Sequence, residues 1–176
     1  MRAVFLDLDG VINGAIIKEG RPYPPSSLAT LEILPGVKDA LDDLHKAGYL
    51  LIVITNQPDV ARGITCRSVV DEIHEFMLAN FPISQIKSCF HDDADQCDCR
   101  KPKAGAIVSV AREYNLNLND CYMVGDRWRD IDAGILAGCK TIFIDYQYDE
   151  KQPTQTNFTV KSLLEASKII IGENNE

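Results

Sequence analysis

The run Leu50-Leu51-Ile52-Val53-Ile54 is continuously apolar and rich in β-branched residues. It has no polar face to turn to water, so it fits a strand covered on both sides, as in a parallel sheet with helices on each face. The run ends at Thr55-Asn56-Gln57-Pro58, so a buried strand delivers polar groups at its carboxyl end. The same design recurs where Ala3 to Leu6 drives into Asp7-Leu8-Asp9-Gly10, and where Tyr122-Met123-Val124 ends at Gly125-Asp126.

Helical spacing fills the intervals. After Pro35-Gly36, Val37, Leu41 and Leu44 share one face, and Gly48 supplies a stop. A helix from about Arg67 to Leu78 turns Val70, Ile73 and Met77 inward, and a short strand near Ile86 to Cys89 follows. Lys103 to Tyr114 and Asp130 to Ala137 read as helices, Thr141 to Ile144 as the last strand, and Val160 to Ile171 as a closing helix. The tail from Gly172 to Glu176 is expected to fray. Strand and helix alternate, which predicts an α/β fold of three layers, Rossmann-like, around a parallel sheet. In such sheets ligands lie beyond the carboxyl ends of the strands, where strand order reverses. For Asp7, Asp9, Thr55, Asn56 and Asp126 to meet there, the first strand must lie between the second and the fourth. Residues 10 to 36, with Gly10, Gly14, Gly20 and Arg21-Pro22-Tyr23-Pro24-Pro25, read as an irregular excursion forming a wall of the site.

The 176 residues suit one domain, and the 45% apolar and 25% charged fractions are those of a globular protein. A net charge of -8 argues against broad attraction to nucleic acid or anionic membranes. With no long apolar run and no leader-like start, a cytoplasmic place is expected. A monomer is expected as well.

Successive side chains alternate across a strand, so Asp7 and Asp9 point the same way. A lone Asp-x-Asp often marks nothing more than a polar turn. Here the two carboxylates can instead hold a hard cation such as Mg²⁺, whose waters a phosphate can replace. A second cluster, Cys89-x-His91 followed by Cys97-x-Cys99, offers three thiolates and an imidazole, a set suited to a closed, structural Zn²⁺ site in a loop at about 88–100. The alternative is a loop of reduced cysteines. Arg100 and Lys101 follow directly, so fixing the loop would preorganise both cations. Cys66, Cys121 and Cys139 fit no ligand pattern and read as small buried residues.

Four motifs, Asp7-Leu8-Asp9-Gly10-Val11, Ile54-Thr55-Asn56, Arg100-Lys101-Pro102 and Gly125-Asp126-Arg127-Trp128-Arg129-Asp130, together resemble the haloacid dehalogenase superfamily phosphatases. The resemblance implies Asp7 as the nucleophile that forms an aspartyl-phosphate, and Asp9 as the acid and base. It implies Thr55 and Asn56 as phosphoryl ligands and Lys101 as the cation facing the transferring group. Mg²⁺ would be held by Asp7, the Asp9 carbonyl and Asp126. Asp130 would contact the metal through water or orient Lys101. The zinc loop with Asn56-Gln57 and Val60-Ala61-Arg62-Gly63 is similar to the heptose 1,7-bisphosphate and histidinol-phosphate phosphatases. The Ala-Arg-Gly looks more like the heptose group. The expected substrate is therefore a small phosphorylated sugar, the 7-phosphate of a heptose 1,7-bisphosphate, bound by Arg62, Arg100, Lys101 and Asn56, with Arg62 placed to meet the second, non-reacting phosphate. Histidinol phosphate is the alternative, and a polynucleotide 3′-phosphatase or a non-catalytic phosphate-binding domain are the readings from other classes. Little chain is left between motifs for a separate cap domain.

Overall fold

The computed structural model describes residues 1–173. Of the tail expected to fray, Gly172 ends the last helix, and the final three positions lie outside the described residues. In chain order the elements are β1 (Ala3–Leu6), β2 (Ile16–Lys18), β3 (Arg21–Tyr23), α1 (Val37–Lys46), β4 (Leu50–Asn56) and α2 (Arg67–Asn80). They continue with β5 (Gln85–Cys89), α3 (Gly105–Glu113), β6 (Tyr122–Gly125), α4 (Trp128–Ala137), β7 (Lys140–Ile144), β8 (Phe158–Val160) and α5 (Leu163–Gly172).

Six strands form one sheet in the order β5-β4-β1-β6-β7-β8, every pairing parallel. The expected placement of the first strand between the second and fourth strands of the chain is thereby corrected: β1 lies between the fourth and the sixth. The second strand, β2, is not in this sheet. It pairs with β3 as an antiparallel ribbon within the excursion read as irregular. The turn Glu19-Gly20, both residues at positive φ, closes the ribbon, and Pro22 within β3 hides the strand from a reading of periodicity. At the far edge β8 adds a strand that no expectation covered, and it takes Val160, expected to open the closing helix, which begins instead at Leu163.

Alternation along β1 divides the core. Val4 and Leu6 pack with Leu41, Leu44, Met77, Ala166 and Ile170 of α1, α2 and α5. Ala3 and Phe5 pack with Ile107, Val110, Met123 and Ala133 on the α3 and α4 side. Gly134 lets α4 settle onto β6, since a Cβ there would stand 2.7 Å from that of Met123. Cys121 and Cys139 are buried, but Cys66 is exposed, because it precedes α2 at the surface end of a loop. Among the described residues, no helix is long and apolar enough to cross a membrane. Strand order reverses at β1, so the carboxyl ends of β1, β4 and β6 open into one crevice.

Candidate active site

At the end of β1 the Asp7 amide still bonds the Val124 carbonyl at 3.0 Å, so its carboxylate is aimed from the sheet itself. Lys101 arrives from the loop before α3 and is 2% exposed. Its ammonium donates to Asp7 Oδ1 at 2.8 Å and to the Ile54 carbonyl at 2.7 Å, and lies 2.6 Å from Asp130 Oδ1. These three partners match the three donors of an ammonium. Burial works against the Lys101 charge, but Asp130 and Asp7 outweigh it and raise the pKa. The Lys101 backbone is clamped by Asn56, whose Nδ2 donates to its carbonyl at 3.0 Å and whose Oδ1 accepts from its amide at 3.1 Å.

Asp126 follows β6 and is 1% exposed. Carboxylate oxygens of Asp7, Asp126 and Asp130 lie within 4.8 Å of one another. Burial, then the charges of Asp7 and Asp130, push the Asp126 pKa well above the usual range, and burial followed by Asp7 raises Asp130 to about 6. Asp126 Oδ2 accepts from Tyr148 at 2.7 Å, whereas Oδ1 is buried with no partner. Three crowded carboxylates, two of them on one ammonium and the third, Asp126, with an oxygen left unpaired, fit a hard divalent cation.

Asp9 lines the same cleft as Asp7. Its oxygens accept from Asn13 Nδ2 at 2.9 Å and Gln57 Nε2 at 3.1 Å. Gln57 also donates to Thr55 Oγ1 at 3.0 Å, so the Thr55 hydroxyl is tied to Asp9 through one amide. Burial raises the Asp9 pKa, while Asn13 and Gln57 oppose the shift.

Above these groups opens a cleft of about 310 Å³ whose rim carries Arg21, Arg62, Arg100, Arg127 and Arg129. Arg62 is turned to Asp92, with bonds of 2.9 and 2.6 Å. Arg100 donates through Nε to Asp93 at 2.8 Å, and its buried Nη1 has no partner. Arg129 also reaches Asp93, at 3.3 Å, and Arg127 is held by Glu150. Sequence reasoning gave no role to Asp92, Asp93, Asn13, Tyr148 and Glu150, nor to Gln57, Arg127 and Arg129, which it quoted within longer stretches. An acidic pair opening a loop that ends in Arg-Lys is the one signal that could have pointed to Asp92 and Asp93.

Cys89, His91, Cys97 and Cys99 converge. Cys97 Sγ lies 3.6 Å from both other sulfurs, and His91 Nδ1 is 3.4 and 3.3 Å from Cys89 and Cys99. A tetrahedral ion with Zn–S of about 2.3 Å needs S···S separations of about 3.8 Å, close to these. The Cys89–Cys99 approach of 2.7 Å would have to widen around an ion. Burial disfavours the Cys97 thiolate, yet the Arg100 amide and the neighbouring thiols bring its pKa down to about 7.

The haloacid dehalogenase-like hydrolase model matches residues 26–138, which hold Thr55, Asn56, Lys101, Asp126 and Asp130. A D-glycero-beta-D-manno-heptose-1,7-bisphosphate 7-phosphatase of Pseudomonas putida is 32% identical over 152 residues, 82% of each chain. The protein of that name from Photorhabdus laumondii is 32% identical over 185 aligned positions, covering 97% of this chain and 95% of its own. Among solved structures, the D,D-heptose 1,7-bisphosphate phosphatase of B. bronchiseptica, complexed with magnesium and phosphate, superposes with a TM-score of 0.83. It is 28% identical, over 98% of this chain and 99% of that one.

Proposed function

Because the chain belongs to the haloacid dehalogenase-like hydrolases and is a phosphatase of that type, we propose that it removes the 7-phosphate of D-glycero-β-D-manno-heptose 1,7-bisphosphate. One observation carries this reading: a buried Asp7–Lys101–Asp130 array lies beneath a rim of guanidinium groups. The floor suits a phosphoryl group in transfer, and the rim suits a second phosphate on the same molecule. The names of the full-length relatives support a heptose between the two.

Asp7 attacks phosphorus through a carboxylate oxygen while the bond to the sugar oxygen breaks. Asp9 gives that oxygen its proton, and the raised pKa keeps the acid form available closer to neutrality. The aspartyl-phosphate is then opened by water attacking phosphorus, with Asp9 taking the water's proton and Asp7 leaving as carboxylate. Lys101 faces the Asp7 oxygens throughout and opposes the charge on the transferring group. Asn56, with both ends of its amide on the Lys101 backbone, holds that lysine in place and keeps one N–H for a phosphoryl oxygen. Thr55 works with Gln57 to set Asp9. Asp7, the Asp9 carbonyl and Asp126 would hold Mg²⁺, with Asp130 turned to Lys101. When bound, the ion neutralises phosphate charge and screens the carboxylates from one another. Zn²⁺ on Cys89, His91, Cys97 and Cys99 would be structural, fixing the loop that carries Asp92 and Asp93. The single domain 1–176 works as a monomer with no separate cap, and access is governed by the β2–β3 ribbon and the zinc loop.

The test is phosphate release from both anomers of the heptose bisphosphate, histidinol phosphate and a 3′-phosphorylated oligonucleotide, each with Mg²⁺. The β anomer should give the highest kcat/KM. Preference for histidinol phosphate or the oligonucleotide would overturn the substrate while leaving the chemistry standing.

A further inference from the structure

The loop after β7 carries Tyr146, Tyr148 and Glu150, none of which belongs to a motif that names the family. Tyr148 donates to Asp126 Oδ2 at 2.7 Å. The other flank of that oxygen is closed by Gly10, where an added Cβ would stand only 2.0 Å from it. Asp126 Oδ1 is left buried and unpartnered. One oxygen of this carboxylate is therefore engaged and sterically enclosed, and the other is free. The phenol itself is well anchored. Tyr146 stacks on it with ring centroids 5.6 Å apart and bonds the Gly10 carbonyl at 2.9 Å. Glu150 holds Arg127 at 2.9 Å, and the Asp149 amide bonds the Gly20 carbonyl at the ribbon turn at 3.0 Å.

We propose that Tyr148 is a positioning residue that presents Asp126 to the metal through one oxygen only, and so biases the site toward Mg²⁺ over Ca²⁺. The inference rests on the reading that Asp126 is a metal ligand. Mg²⁺ requires near-ideal octahedral geometry with short bonds, which single carboxylate oxygens satisfy. Ca²⁺ takes more ligands and readily accepts a carboxylate through both oxygens. To offer both, Asp126 must release Tyr148. The hydroxyl thus favours the smaller ion without touching it.

The experiment is calorimetric and thermal-shift titration of the full chain with MgCl₂ and with CaCl₂, comparing wild type, Tyr148→Phe and Tyr146→Phe. Tyr148→Phe keeps the ring and removes one hydroxyl, and circular dichroism checks its fold. Its Mg²⁺ affinity should fall about 10-fold or more, as for other groups that orient a ligand, while Ca²⁺ affinity holds or tightens. Tyr146→Phe, which loosens the loop but keeps the Tyr148–Asp126 bond, should leave the ratio of the two affinities unchanged. Equal losses for both ions, no change in either, or the same change in both variants would overturn the inference. A wild type that binds no Mg²⁺ at all would overturn the metal reading itself and this inference with it.

Discussion

Lys101 Nζ and Asp7 Oδ1 stand 2.8 Å apart in a buried ion pair that joins residues 94 positions apart in the chain. Asp130 completes the array on the far side of the ammonium. Removing the cation leaves buried carboxylates facing one another. Lys101→Met should therefore destabilise the metal-free protein by about 3–5 kcal/mol at neutral pH, the usual consequence of stranding buried charge. Urea unfolding at pH 7.5 and at pH 5 checks this, with a smaller loss at pH 5, where Asp130, raised to about 6, takes up a proton. Turnover should fall by about 10²–10³-fold, as when an electrostatic stabiliser of the transition state is deleted.

Asp7→Asn removes the attacking oxygen while preserving shape. Turnover of the bisphosphate should fall by at least about 10⁴-fold, since no covalent intermediate can form. The circular dichroism spectrum should be unchanged, and acid-quenched protein should carry no phosphorylated aspartate. Retained phosphate release in the purified variant would remove Asp7 from its role.

The meeting of Asp7 and Asp126 was legible because each directly follows a strand whose apolar pattern is strong, whereas Lys101, in the loop before α3, and Asp130, in the first turn of α4, were marked by the motif resemblance alone. The count and order of strands were not legible. The ribbon strands hold three residues each, and one contains Pro22, so neither gives a period long enough to read. Partners set by folding were equally hidden. Nothing in Val60-Ala61-Arg62-Gly63 indicates that Arg62 turns to Asp92, thirty positions on, and nothing local ties Tyr148 to Asp126. Such contacts are chosen by where loops land, and loops carry little pattern.

The crowded carboxylates set a pH dependence of stability. Asp130 is raised from its ordinary 3.8 to about 6, and Asp126 is raised well above its ordinary value, so the native state holds protons that the unfolded chain releases. Stability from this source is full below about pH 3.8 and is lost as pH rises through about 6. Asp92 and Asp93 are held below the ordinary range by Arg62 and Arg100 and titrate beneath that window. Metal-free protein should thus melt lower at pH 7.5 than at pH 5. Millimolar Mg²⁺ should raise the melting temperature at pH 7.5 and change it little at pH 5. A Mg²⁺ effect equal at both values would place the ion elsewhere.

The cysteine and histidine cluster should carry about one zinc per chain by elemental analysis, as a closed four-ligand site does. A strong chelator should remove it and lower the melting temperature by at least about 5 °C, since structural zinc contributes directly to folding. Zn²⁺ should restore the loss and Mg²⁺ should not. Activity should fall with the zinc, because Asp93 holds both Arg100 and Arg129 from the loop that the metal would fix.

Arg100 offers the sharpest test of the second phosphate. Its Nε is committed to Asp93, but its buried Nη1 faces no partner. An unpaired donor buried beside a cleft is costly unless a ligand completes it. A lysine at this position keeps the charge but loses the planar fork that meets phosphate and Asp93 together. Arg100→Lys should raise KM for the bisphosphate by about 10–100-fold, the value of one charge-assisted bond, with a smaller change in kcat. Hydrolysis of a small aryl monophosphate, which has no second phosphate to hold, should change by less than about 3-fold. If both substrates lost kcat alike, Arg100 would be acting on the transferring group itself, and the second phosphate would have to be held elsewhere on the rim.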